Sequence, residues 1–198
     1  MRRDIRHEIL QTAKELFNER GYNVVSTRDI AGTLGISKGN LTYYFKKKEE
    51  IIEAILAENA YMPPFEPPKN LEAMNAFFLD MQHVVQENAF YFWHHAQLSQ
   101  LSPKIREQQH AIYLSNVDKF MQAFLALLAD GVIREENFTG EYDRMIDTLL
   151  LSSIYWMPFC DLTQKHDPQE RFQCHAWAVF YHLLTDKGRD VLREIISI

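Results

Sequence analysis

The segment from Ser26 to Lys48 constrains the fold of this chain more than any other. Ser26 and Asp29 form a Ser-x-x-acid pattern, in which the two side chains satisfy free backbone N–H groups at the start of a helix. A helix is therefore predicted to begin near Thr27. Gly35 follows its apolar positions, and glycine there can end a helix in the left-handed conformation at low cost.

A second short helix is predicted directly after this turn. Ser37 is a favourable N-cap, and Leu41 and Phe45 lie four residues apart, where side chains share one face of a helix. The other side chains would face away from the core, and they are rich in hydrogen-bond donors and aromatic rings. This outward set consists of Lys38, Asn40, Thr42, Tyr43 and Tyr44.

The outward set matches the chemistry of DNA bases. Two short helices joined by a tight turn can place the start of the second helix in the major groove. Lys and Asn side chains suit acceptor and mixed base edges, and a Thr methyl can contact thymine. Gly39 has no side chain, so the backbone there can approach a phosphate closely. The segment therefore predicts a DNA-binding helix-turn-helix.

Several motifs here resemble the N-terminal domain of the TetR family of bacterial transcriptional regulators, over roughly residues 5 to 52. They are Gly21-Tyr22, Arg28-Asp29-Ile30-Ala31, Gly35 to Leu41, Tyr43-Tyr44-Phe45 and Lys48-Glu49-Glu50. The resemblance implies phosphate contacts for Thr27, Arg28, Tyr43 and Lys48, and positions at or near base edges for Lys38, Gly39, Asn40, Thr42 and Tyr44. Together with Ser37, these residues form the predicted DNA-binding set.

The position of Thr42 departs from the family pattern. Many members carry an aromatic residue directly after the leucine that corresponds to Leu41, whereas this chain has threonine. The operator preference therefore cannot be taken from a relative. The predicted partner is a double-stranded, palindromic DNA operator.

Charge is distributed unequally along the chain. Residues 1–50 hold ten Lys and Arg against seven Asp and Glu, whereas residues 51–198 hold eleven against twenty, so +3 and −9 give the net charge of −6. A basic head can bind phosphates, and an acidic body opposes non-specific coating of DNA. The negative total therefore does not exclude a nucleic-acid partner.

Helical periodicity and Pro or Gly breaks predict an all-α chain. We expect a three-helix helix-turn-helix domain, followed by a connecting helix, a Pro-rich linker and a helical bundle that binds a ligand and dimerises. Their predicted bounds are 1–48, 49–62, 63–69 and 70–198. Within the last part, we expect one helix over 141–159 and another over 168–187, with a short helix after it.

The predicted helices 141–159 and 168–187 are too apolar for an exposed pair. We expect them to pack against their twofold mates as a four-helix bundle, as the family resemblance also implies. A homodimer would present two heads one DNA turn apart, roughly 34 Å. The alternative is that this apolar surface is entirely core within one chain.

The chain has no uninterrupted stretch of about 18 apolar residues and no apolar signal segment at its start. We therefore expect a cytoplasmic protein without a membrane partner. Cys160 and Cys174 match no metal or redox spacing, so they are expected to be buried or idle thiols.

The resemblance also implies a repressor that a small hydrophobic or aromatic effector releases from DNA by a population shift. Such an effector would bind between helices of the body. For each aromatic residue, plain core packing is the alternative, and a regulator without any effector is the alternative for the whole protein. The predicted pocket residues are Phe77, Phe78, Met81, Trp93, His94, Tyr113, Phe120, Phe124, Tyr155, Trp156 and Trp177.

Catalysis has little support in the sequence. Asp80-x-x-His83 and Glu107-x-x-His110 have the spacing of carboxylate-bridged di-iron bundles, but Glu87 is the only further carboxylate nearby on these helices. No phosphate-binding glycine loop or nucleophile pattern occurs. We predict no enzyme, no cofactor and no metal, and keep a metal-carboxylate enzyme only as an alternative.

Overall fold

The computed structural model describes residues 4–58, 65–164 and 172–196, and within them the regular structure is helical. This confirms the all-α class. None of the described helices is both long and apolar enough to cross a membrane. The helices are α1 (Ile5–Arg20), α2 (Thr27–Leu34), α3 (Lys38–Tyr44), α4 (Lys48–Ala57), α5 (Leu71–Glu87), α6 (Ala89–Leu98), α7 (Pro103–Ala129), α8 (Glu141–Leu162), α9 (Phe172–Phe180) and α10 (Asp186–Ile195).

The described residues form two compact units. The first contains residues 4–58 and 87–110, and the second contains residues 65–86, 111–164 and 172–196. Residues 87–110, which lie within the predicted bundle of residues 70–198, group with the N-terminal helices in the first unit. The end of the predicted connecting helix and the first linker prolines lie outside the described residues.

Asn18 near the end of α1 explains part of this grouping. Its amide Nδ2 donates to the carbonyl of Glu87 at 2.8 Å, and its Oδ1 accepts from the backbone N–H of Phe90 at 2.9 Å. Helix ends leave such groups without partners inside the helix. Asn18 thus pairs with a backbone carbonyl at the end of α5 and a backbone N–H in the first turn of α6. The ring centroids of Phe17 and Phe90 are 5.7 Å apart.

Glu53 on α4 makes the second set of contacts within the first unit. Its carboxylate accepts from Ser102 Oγ at 2.8 Å and pairs with Lys104 at 3.3 Å, and its carbonyl accepts from Gln108 Nε2 at 3.2 Å. These bonds join α4 to the start of α7. The sequence pattern did not predict them, because the partners lie about fifty residues apart.

Aromatic rings dominate the interior of the second unit. The rings of Phe78 and Trp177 meet edge to face with their centroids 5.3 Å apart, and the ring centroids of Phe124 and Phe180 are 5.2 Å apart. Three polar side chains among these rings hydrogen-bond to one another, which offsets the cost of their burial. The Oδ1 of Asn75 accepts from Gln173 Nε2 at 2.5 Å and from Trp177 Nε1 at 2.9 Å, which joins α5 to α9.

The predicted single helix over 168–187 is wrong at its C-terminal end. Helix α9 ends at Phe180, a 3-10 turn follows over Tyr181–Leu183, and Leu184 is extended. Thr185 then caps α10 by accepting from the N–H of Gly188 at 3.1 Å. Lys187, the predicted last residue of that helix, therefore lies in the first turn of the next one.

Contacts with the segment after α7 produce this break. Leu184 forms an isolated bridge with Ile133, and the N–H of Thr185 donates to the carbonyl of Val132 at 3.1 Å. Gly188 lies so close to the same carbonyl that an added Cβ would be 2.0 Å from its oxygen. These interactions connect residues about fifty positions apart, so helical periodicity alone did not indicate them.

Arg134 and Glu141 fix the start of α8. Two guanidinium nitrogens donate to the two carboxylate oxygens at 2.8 and 2.6 Å, and Glu141 also accepts from the N–H of Asn137 at 2.7 Å. Planar two-point pairing of this kind is strong and directional. The hydrogen bonds from Arg134 and Asn137 lower the pKa of Glu141 to about 2.

Candidate nucleic-acid interface

The start of α2 is fixed by the predicted capping box. Asp29 Oδ2 accepts from the backbone N–H of Ser26 at 2.8 Å, and Ser26 Oγ accepts from the N–H of Asp29 at 3.3 Å. The hydrogen bonds from Ser26 lower the pKa of Asp29. Arg28, one of the predicted phosphate contacts, is exposed in the first turn, and Thr27 beside it is half-buried.

The turn between α2 and α3 has the predicted geometry. Gly35 adopts φ 66° and ψ 28°, a left-handed conformation that costs other residues energy. Ser37 then caps α3 by accepting from the N–H of Asn40 at 3.1 Å. Leu41 is fully buried and Phe45 is 5% exposed, so both anchor α3 to the core as predicted.

The opposite face of α3 lies at the surface. Lys38, Gly39, Asn40 and Thr42 are all exposed, and Tyr43 is 84% exposed. The rings of Tyr43 and Tyr44 meet edge to face at 5.2 Å. Such an exposed set of donors and rings could reach base edges in a major groove without any rearrangement of the helix.

Lys48 differs from the other predicted phosphate contacts because its ammonium is bound within the protein. Its Nζ donates to the carbonyls of Tyr22 at 2.6 Å and Val25 at 2.8 Å, and it lies 4.0 Å from the centre of the Tyr22 ring. Burial lowers the pKa of Lys48, and burial together with the carboxylate of Glu49 raises the pKa of Tyr22 to about 12. An ammonium has three N–H groups, so a phosphate contact would be a second role for Lys48.

The comparison with protein families agrees with this geometry. The model of the tetR family of bacterial regulatory proteins matches residues 9–55, which include the whole of α2 and α3. Residues 9–55 form a TetR-family N-terminal domain. The match ends at residue 55 and does not extend to the rest of the chain.

A curated relative and two solved structures show how far the similarity extends. The transcriptional repressor KstR2 of Mycolicibacterium smegmatis is 42% identical over 53 residues, which span only 26% of its length and 27% of this chain. A TetR-family regulator from Marinobacter aquaeolei is 25% identical and has a TM-score of 0.82, over 97% of this chain and 98% of that one. A putative regulator from Saccharomonospora viridis, solved with choline, has a TM-score of 0.70 at 22% identity, over 91% of this chain and 97% of that one.

The predicted pocket residues divide between the two units. Trp93 and His94 belong to the first unit, and Trp93 is 42% exposed. In the second unit, Tyr113 and Tyr155 are also exposed, and the hydroxyl of Tyr113 donates to Asp147 at 2.7 Å. Phe77 is half-buried in the second unit. The other six predicted residues are buried there: Phe78, Met81, Phe120, Phe124, Trp156 and Trp177.

An open groove of about 210 Å³ lies between α8 and α9, and two predicted pocket residues line it. Roughly 300 Å³ is the lower end of typical small-molecule sites. One polar contact in this groove joins His175 Nε2 and Ser152 Oγ at 3.2 Å. The lining residues are Leu151, Ser152, Tyr155, Trp156, Phe159 and His175.

The metal alternative has no support in the geometry. Asp80, His83, Glu107 and His110 are all exposed. Across the described residues, no three His, Cys, Asp or Glu side chains are placed to hold a metal ion. Both cysteines are free thiols, with Cys174 exposed and Cys160 half-buried.

Sequence reasoning missed Asn18 and assigned only one role to Lys48. A polar residue near the C-terminal end of an amphipathic helix is an ordinary feature, so no local signal marked Asn18 as a cap for two other helices. The carbonyls that bind Lys48 likewise come from a loop more than twenty residues earlier.

We predict that Lys48→Met lowers the free energy of unfolding by about 1 to 3 kcal/mol, because the change leaves two carbonyls without their charged donor. Urea denaturation followed by circular dichroism measures the difference. Lys47→Met is the matched control, since Lys47 is exposed and its side chain makes no capping bond. Equal stability of the two variants would contradict a structural role for Lys48.

Proposed function

We propose that this protein is a sequence-specific DNA-binding transcriptional regulator that acts as a homodimer on a palindromic operator. The observation that carries the proposal is the exposed polar face of α3, which is held outward by the buried side chains of Leu41 and Phe45. In this proposal Lys38, Asn40 and Thr42 contact base edges, and Arg28 and Tyr43 contact phosphates. Repression is favoured over activation because a dimer on a promoter blocks polymerase.

The proposed dimer surface follows α8. Its apolar residues Leu151, Tyr155, Phe159 and Leu162 are separated by four, four and three positions, so they share one side of the helix. Leu151 is 60% exposed and Leu162 is 81% exposed in the single chain. A contiguous exposed apolar stripe is typical of a protein–protein contact. A twofold mate packed along α8 would remove these side chains from water.

We also propose that a small hydrophobic or aromatic ligand lowers the affinity for DNA. A regulator with the same fold was solved in complex with choline, which is a small molecule. The groove between α8 and α9 shares Leu151, Tyr155 and Phe159 with the proposed dimer surface. The half-buried ring of Phe77 is therefore the place in the second unit that we propose for such a ligand. If compounds that bind the protein and raise its melting temperature leave its affinity for DNA unchanged, the result would favour a regulator without an effector.

The division between phosphate and base contacts predicts different effects for two substitutions. Arg28→Ala should weaken binding to all duplexes and reduce the slope of log K against log salt concentration by about 0.9, the value for one lost phosphate contact. Asn40→Ala should instead weaken binding to the preferred sequence by about 1 to 3 kcal/mol and relax the preference at one base position. Fluorescence anisotropy with labelled duplexes at several salt concentrations measures both.

The control for this pair is the wild-type protein on the same duplexes. If the two variants weaken binding to every sequence by the same factor, the assignment of base and phosphate contacts is wrong. If the wild-type protein itself shows no preference among sequences, the proposed function fails.

The dimer surface predicts that Leu151→Glu produces a monomer, because a charge would be buried against the partner without a counter-ion. Sedimentation equilibrium at micromolar concentration should show the wild-type protein as a dimer and the variant at half its mass. The matched control is Leu125→Glu on α7, where the leucine is 54% exposed in the same unit. A dimeric Leu151→Glu variant, or a monomeric wild-type protein, would rule out this surface.

A further inference from the structure

Thr42 is exposed on α3, but its hydroxyl group is already bound. The Oγ1 of Thr42 donates to the carbonyl of Lys38, one turn earlier in the helix, at 2.8 Å. Threonine in a helix commonly adopts a rotamer that allows this bond. A hydroxyl has only one hydrogen, so the hydrogen of Thr42 is not free to reach another acceptor.

The bond changes what Thr42 offers to a base. In the major groove, guanine presents the acceptors N7 and O6, and thymine presents the acceptor O4 beside its C5-methyl group. A hydroxyl that gives its hydrogen to Lys38 cannot donate to any of these acceptors. The group that remains for a direct contact with thymine is the side-chain methyl, and apolar contact is how a methyl recognises the thymine methyl.

We propose that Thr42 is a specificity-determining residue that recognises thymine through its methyl group, while its hydroxyl remains bonded to Lys38. This inference rests on the proposed function, because it requires α3 to lie in the major groove. Gly39 and Asn40 are exposed beside it on the same short helix. A base at this position would therefore be read by shape and apolar contact, and a neighbouring base by the amide of Asn40.

The experiment removes the methyl group from thymine and, separately, the methyl or the hydroxyl group from Thr42. The operator is first selected from random duplexes by the wild-type protein, and each thymine is then replaced in turn by uracil, which lacks only the C5-methyl group. The wild-type protein is compared with Thr42→Val, which keeps a methyl but has no hydroxyl, and with Thr42→Ser, which keeps the hydroxyl but has no methyl. Thermal unfolding of each variant checks that the fold is intact.

We expect uracil at one thymine of each half-site to weaken wild-type binding by about fourfold, the factor for exposing one buried methyl group. Thr42→Val should show the same loss at the same position. Thr42→Ser should bind the thymine operator about fourfold more weakly and should no longer distinguish thymine from uracil there. This pattern requires no change in any other base preference.

Two results would overturn the inference while the proposed function stands. If Thr42→Val binds the operator at least tenfold more weakly and Thr42→Ser binds it normally, the hydroxyl makes the contact. If the wild-type protein selects a clear sequence but no uracil substitution weakens binding, Thr42 does not read a thymine methyl. A wild-type protein without sequence preference would be a failure of the proposed function, and the uracil comparison would then show no loss at any position.

Discussion

The presentation of α3 depends on the burial of Leu41 and Phe45. With seven residues, α3 is too short to be stable alone in water. Leu41 is fully buried and Phe45 nearly so, and the guanidinium of Arg6 lies 5.6 Å from the centre of the Phe45 ring. The Ser37 cap and the left-handed Gly35 then set the direction of the helix. Everything proposed for the outward face requires these contacts, because they determine which side chains point to solvent.

A second layer of contacts holds the elements around α3. Lys48 links the start of α4 to the loop before α2. Asn18 links α1 to the last residue of α5 and to the first turn of α6. Both side chains form hydrogen bonds with backbone groups that would otherwise need water as their partner. The compact unit that contains α3 is therefore larger than the three helices of the motif, since α6 and the start of α7 belong to it.

The sequence predicted the features that local chemistry determines. The Ser26–Asp29 box, the cap at Ser37 and the turn at Gly35 each depend on residues within a few positions, and all three occur as predicted. The sequence did not predict the features that depend on contacts between distant segments of the chain. The break at Leu184 results from pairing with Ile133, and the unexpected partners of Lys48 lie in another loop. The ligand residues were the least predictable, because an aromatic side chain at helical spacing has the same pattern in a core as in a pocket.

The central claim is that the face of α3 bearing Asn40 and Thr42 enters the major groove of DNA. Dimethyl sulfate interference tests it most directly, because methylation of guanine N7 adds a group in the major groove and methylation of adenine N3 adds one in the minor groove. On a selected operator, the account predicts that N7 methylation at guanines within two symmetric half-sites prevents binding. Interference confined to adenine N3, or none at either atom, would contradict it.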